Sequence, residues 1–242
     1  MNSEVINKEF LNFLEEQKTS DFSSNFDKHG GEFVKKNEKH FFTLGYSITE
    51  DYNVVNDDVK DFVVIHRFWL HTAFPELEKI VHPILAKNDL FGTEISYHEV
   101  YKSFSVETNF NNILPKEGVE IRNLEDLIPI KEKFKQFFYE DALPFFNHWH
   151  SLPVLHEYMQ QDSSREFLSN LLGTLHQFKK AVILKLCNDP SYQEFMDSFY
   201  NKRKMIFEEY PEEKVAEQYY KASKELKEVL DNTEPIYNLS NS

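Results

Sequence analysis

Apolar residues recur at helical spacing over residues 4–18, where Val5, Ile6, Phe10, Phe13 and Leu14 share a face between Glu and Lys. Residues 19–31 are polar, carry Ser23-Ser24 and Gly30-Gly31, and read as a loop. The period then shortens to two: Phe42, Leu44, Tyr46 and Ile48 alternate with Thr43, Gly45 and Ser47, the pattern of a half-buried strand. Asn56-Asp57-Asp58 signals a turn. Beyond it, residues 61–70 are apolar in both alternating sets, Phe62, Val64, Phe68 and Leu70 against Val63, Ile65 and Trp69. Such a strand is central in its sheet or covered on both sides. Thr72 is placed to cap a helix with Pro75 in its first turn and Phe74, Leu77, Val81, Ile84 and Leu85 along it, kinked or shortened at Pro83. A third, long strand is expected from about Ile95 to Thr108, with Tyr97 and Tyr101 on one face and Val100, Phe104 and Val106 on the other.

The second half changes character. Asn123 is a good cap, but Pro129 leaves room for only a short turn, so the main helix is expected to start at Pro129. It carries Ile130, Phe134, Phe137 and Phe138 toward Pro144. Beyond Ser151 the chain reads as helix after helix. One spans Leu152–Met159. The capping box Ser163-x-x-Glu166 opens another with Leu168, Leu171, Leu172, Leu175, Phe178 and Val182. Asp189-Pro190 opens a third with Phe195, Met196, Phe199 and Ile206. Pro211 opens the last, in which Val215, Tyr219, Ala222, Leu226 and Val229 follow four-and-three steps. That spacing suits packing on its own domain, with a coiled-coil seam and self-association as the alternative. The fold class expected is α+β: a small antiparallel sheet of three or more strands packed with helices, followed by a helical C-terminal part. Residues 1–160 form the first part, 161–231 the helical part packed on it and 232–242 a frayed tail, with the boundary near Gln160–Ser164.

Composition narrows the partners rather than the fold. With 242 residues the chain can bury a sizeable core unaided, and 23 Phe make that core aromatic. Asp plus Glu outnumber Lys plus Arg by 41 to 27, a formal net charge of −14. That field repels phosphate backbones and anionic headgroups, so neither nucleic acid nor a membrane is an expected partner, whereas a basic protein is. A single cysteine, Cys187, forms no internal disulfide, and Met1 to Phe10 has no signal-peptide core, so a cytoplasmic location is expected.

Specific chemistry is hard to find. No G-x-x-x-x-G-K-[ST], G-x-G-x-x-G or G-x-S-x-G occurs, and neither His98-Glu99 nor His156-Glu157 is followed by the second histidine of a helical zinc site. No cofactor is expected. The densest polar-aromatic run is Phe145-Phe146-Asn147-His148-Trp149-His150, with His156 behind it. In an extended segment His148 and His150 point to one side and can share a metal; on a helix they sit roughly 200° apart and cannot. His66, on a largely apolar strand face beside Arg67 and His71, is either a satisfied core residue or a general base. His66, His148, His150 and His156 are therefore the catalytic candidates, and His148 and His150 the metal candidates. Glu140-Asp141 reads as solvated surface, and Cys187 as buried and inert.

The order of elements, with Phe137-Phe138-Tyr139-Glu140-Asp141-Ala142-Leu143-Pro144-Phe145-Phe146 and Ser151-Leu-Pro-Val-Leu-His-Glu-Tyr, resembles uncharacterised bacterial α+β domains of unknown function, some encoded near toxin and immunity loci. That resemblance covers about residues 30–230 in layout and carries over no catalytic residue. It implies a binding role, so the expected function is a non-enzymatic, immunity-like protein that engages a protein partner. The alternative is a metal-dependent or acid–base enzyme built on the histidines.

Overall fold

The computed structural model describes residues 2–16, 22–36, 41–55, 58–90, 113–173 and 175–239. By backbone proximity the chain separates into two compact units, Met1–Thr72 with Val106–His148, and Ala73–Ser105 with Trp149–Ser242. The division therefore falls at 72/73 and 148/149, not near 160–164. The architecture is α+β, as the two hydrophobic periods require.

In the first unit, helix α1 (Ser3–Glu16) precedes strands β1 (Phe22–Asp27), β2 (Gly30–Lys36), β3 (Phe41–Val55) and β4 (Asp58–Ala73), with β5 (Val119–Ile121) arriving later. They form one antiparallel sheet in the order β1-β2-β3-β4-β5. Residues 22–31, expected as loop, are instead a tight hairpin with Phe26 opposite Gly31 and Asp27 opposite Gly30. Their polarity misled because β1 pairs on one side only, so Ser23, Ser24 and Asn25 stay exposed. Gly30 is required there: its φ is 150°, and a Cβ would stand 2.1 Å from the Tyr46 carbonyl oxygen. The expected strand at 95–108 lies outside the described residues. So does part of the Asn56–Asp58 turn, although β3 and β4 flank it as expected.

Register explains the core. Phe33 lies opposite Leu44 and Gly31 opposite Tyr46, so alternate residues of β2 and β3 face the helices. Helix α3 (Leu124–Phe137) lays Phe134 into that face, its ring centroid 4.5 Å from Phe10, 5.1 Å from Phe68 and 5.4 Å from Phe13. This helix begins at Leu124, not at Pro129. A reciprocal box starts it: Asn123 accepts from the Glu125 and Asp126 amides, and Asp126 accepts from the Asn123 amide. Pro129 deprives only the carbonyl of exposed Glu125, which water can serve. Nor does the helix stop at Pro144. A π turn, Phe138–Ala142, widens the backbone so that the Leu143 amide bonds the Phe138 carbonyl, and α4 (Leu143–His148) continues with Pro144 in its first turn.

The second unit holds α2 (Pro75–Lys87), α5 (Leu152–Met159), α6 (Arg165–Leu172), α7 (His176–Leu186), α8 (Tyr192–Glu209) and α9 (Lys214–Asp231). Phe74, not Thr72, is the N-cap of α2, because Thr72 is still in β4; the helix runs on past Pro83. Ser164, one residue later than expected, caps α6 through its Oγ and the Phe167 amide. The long helix expected from there is two, broken where Gly173 takes φ 83°. Ala222, Leu226 and Leu230 of α9 are fully buried. Among the described residues no helix is long and apolar enough to cross a membrane.

The tail is not frayed through Leu239. Helix α7 ends with carbonyls that no further turn satisfies. The Ile236 and Tyr237 amides donate to the Leu186 carbonyl at 3.0 and 2.8 Å, and the Tyr237 hydroxyl donates to Glu76 at 3.1 Å. Deleting residues 233–242 is therefore expected to destabilise the protein by about 1–3 kcal/mol in urea unfolding, the cost of leaving such groups unpaired. An unchanged midpoint would mean the tail contributes nothing.

Candidate functional site

The four histidine candidates do not share one environment. His66, half-buried on β4, has Nε2 2.8 Å from the Thr49 hydroxyl of β3. His148 ends α4 in the first unit, whereas His150 and His156 belong to the second. Both His148 and His150 are exposed. His148 is helical and the chain leaves the helix at Trp149, so the segment is neither wholly extended nor wholly helical. No group of three His, Cys, Asp or Glu side chains is arranged to hold a metal ion among the described residues.

His156 alone is buried, and it has an acidic partner. It stands in the last turn of α5 with Nε2 2.6 Å from Asp189 Oδ2 in the turn between α7 and α8. Gln160 Nε2 also donates to Oδ2, at 3.1 Å, while the Ser191 amide and hydroxyl donate to Oδ1 at 2.8 and 2.6 Å. Burial by itself raises the Asp189 pKa. The Ser191 and His156 hydrogen bonds outweigh it, so the carboxyl lies below its ordinary 3.8 and only accepts. The proton on Nε2 is therefore fixed toward Asp189. The order is hydroxyl, carboxylate, imidazole, whereas an activated serine needs the imidazole in the middle. This geometry clamps α5 to the α7–α8 turn and leaves the Ser191 hydroxyl unactivated.

Other sequence candidates are placed as follows. Glu140 is exposed and accepts from Gln136 at 2.7 Å, while burial and the Glu140 charge raise the Asp141 pKa. The Cys187 thiol is fully enclosed, and burial with Asp189 and Glu76 nearby pushes its pKa to about 12. Such a thiol is a poor nucleophile.

A concave site lies elsewhere, at the end of α8 and the start of α9. A concavity of about 250 Å³ is lined by Arg203, Ile206 and Tyr210 on one side and by Val215, Ala216 and Tyr219 on the other, with Glu213 between. Pro211, expected to open the last helix, lies instead in the turn between α8 and α9, which starts at Lys214, and the two helices pack together. Tyr210 and Val215 are 51% and 60% exposed. Beside them stand the exposed carboxylates Glu208, Glu209, Glu212 and Glu213.

Arg203 is the unusual member. Its guanidinium carbon lies 4.5 Å from the Tyr219 ring centroid and 5.5 Å from that of Phe199, and Nη2 donates to Gln177 Oε1 at 2.7 Å. Its Nε is enclosed without a hydrogen-bond partner, and no carboxylate pairs with it among the described residues. Burial pulls its pKa below the ordinary arginine value, with Arg165 adding to the effect. Arg165, Lys180 and Arg203 also act together on His176, where burial is the largest cause of a lowered pKa. Sequence reasoning passed over Arg203 because the run Lys202-Arg203-Lys204 in an amphipathic helix reads as surface charge; the clue available was its placement among Phe199, Ile206 and Tyr210.

Comparison with protein-family models, curated proteins and solved structures found no match.

The Asp189 network has a pH signature. Because folding lowers the carboxyl pKa, its stabilisation is complete above the unfolded value of 3.8 and is lost as pH falls through the lower folded value. Asp189→Asn is expected to cost about 2–3 kcal/mol at pH 7, with the gap to the parent protein narrowing in unfolding at about pH 3. An equal gap at both pH values would show that the charge contributes nothing.

Proposed function

We propose that the protein is a non-enzymatic binding protein, immunity-like in its mode of action, that engages a basic protein partner at the α8–α9 corner. The observation that carries this reading is the coincidence in one concavity of two exposed apolar side chains, Tyr210 and Val215, with Glu213, while Glu208, Glu209 and Glu212 are exposed on the adjoining chain. Exposed apolar residues beside a concavity supply a contact that excludes water. Carboxylates around it attract a basic surface, and the excess of 41 acidic over 27 basic residues lengthens the range of that attraction. The excess is spread over both units, so it steers the approach while the corner supplies the contact.

The enzymatic alternative draws less from the geometry. His156 is committed to Asp189, and Asp189 to four donors.

Affinity capture from the native host tests the reading, with the parent protein and the Tyr210→Asp/Val215→Asp double variant used in parallel. Both positions are more than half exposed, so the variant is expected to fold. The expected result is a basic protein retained at near one-to-one ratio, more strongly at about 20 mM than at about 150 mM salt, and reduced at least about tenfold by the variant. Equal retention by both proteins, or no stoichiometric partner at either salt, refutes it.

A further inference from the structure

A guanidinium cannot give up its proton to escape a poorly solvated site, so it needs an anion or an open path to water. Arg203 is half-buried, held between aromatic faces, and has one neutral hydrogen-bond partner, Gln177, in a protein with carboxylates to spare. Glu213 lines the same concavity yet forms no ion pair with it. Every other wall of the concavity is aliphatic or aromatic. The missing element is a carboxylate brought from outside, on a body small and apolar enough to rest against Ile206, Val215 and Ala216.

Resting on the partner-binding reading, we infer that the concavity receives the C-terminal residue of the partner chain, its carboxylate on Arg203 and its apolar side chain against Ile206, Val215 and Ala216. Charge complementarity selects this occupant. Glu208, Glu209, Glu212 and Glu213 favour a basic segment and oppose a polyanion, so the single carboxylate has to arrive on an otherwise basic or neutral chain. A chain terminus meets that demand, because its carboxylate and last side chain diverge from one Cα and reach adjacent subsites together. Arginine's planar fork suits a carboxylate; with Nε enclosed and Nη2 already bonded to Gln177, Nη1 and the second hydrogen of Nη2 remain to donate.

The test uses the isolated full chain and N-acetyl-leucine, a minimal C-terminal residue, titrated while amide and arginine side-chain resonances are followed by NMR. Three probes run beside it: N-acetyl-leucine amide, N-acetyl-aspartate α-amide and inorganic phosphate. The expected result is that the leucine acid shifts the resonances of Arg203, Val215, Ala216 and Tyr219, and that each other probe binds at least about tenfold more weakly. Arg203→Met abolishes the response, and Arg203→Lys, which keeps the charge but not the fork, weakens it. Equal response to acid and amide overturns the inference, as does an equal response to the aspartate amide or to phosphate, an undiminished response in Arg203→Met, or no response to the acid at about 50 mM. The acid–amide comparison needs no variant, so misfolding of either substitution leaves the test standing. No partner protein is involved, so a failed titration leaves the captured partner in place, and a failed capture leaves a positive titration in place.

Discussion

Helix α7 is enclosed by α2, α5, α6, α8 and α9, and its polar side chains have to be accommodated where that enclosure leaves them. Phe178, Ala181, Val182, Ile183, Leu184 and Leu186 are all buried, so no single face of the helix is spare for solvent. Two of its three lysines go to aromatic faces: Lys180 lies 4.9 Å from the Phe195 ring centroid and Lys185 5.0 Å from that of Tyr192. Gln177 goes to Arg203, and the carbonyl of Leu186 goes to the tail. The turn that follows α7 presents Asp189 to His156 and Ser191. Burying this one helix therefore organises the clamp, the docked tail and the placement of Arg203 within the second unit.

The first unit answers a different constraint, the fit of an aromatic core against a twisted sheet. Phe134 meets Phe10, Phe13, Phe33, Tyr46, Phe68 and Phe137, and tilted or edge-on arrangements predominate among these rings. Two prolines could have ended the segment that delivers it. A capping box starts α3 far enough ahead of Pro129 that the lost hydrogen bond falls at an exposed carbonyl, and the π turn widens the chain before Pro144. Phe138, which opens that turn, and Phe146 beyond it both reach the Phe22 ring of β1.

Much of the fold was legible where periodicity is strong. Phe42, Leu44, Tyr46 and Ile48 are buried as their alternation requires, though Thr43 and Gly45 between them are buried too, and the last helix buries Ala222 and Leu226 but exposes Val215 and Val229. Reading failed where structure is set by pairing rather than pattern. A polar strand such as Phe22–Asp27 has no hydrophobic signature, because its register comes from β2. Helix starts slipped by one residue where Ser163 and Ser164 compete as caps, and by several where a proline was taken as the first helical position, as at Pro129 and Pro211. The candidate site was less legible still. The histidines drew attention because imidazole chemistry is recognisable by residue type, yet the structure commits His156 to Asp189. Arg203 stands out only by what surrounds it, and surroundings built from α7, α8 and α9 are not adjacent in sequence.

On this account Arg203 is retained for a ligand rather than for the fold. Its contacts with Gln177, Tyr219 and Phe199 offset part of the cost of holding an unpaired cation in a poorly solvated place, and the net contribution to stability is small. A structural arginine behaves otherwise, since truncating one partner of a buried ionic pair strands the other. The most direct measurement is the urea unfolding free energy of Arg203→Met against the parent protein at pH 7. The account predicts a change within about 1 kcal/mol in either direction. A loss of about 3 kcal/mol or more would place Arg203 among the groups that hold the helices together and contradict its assignment to recognition.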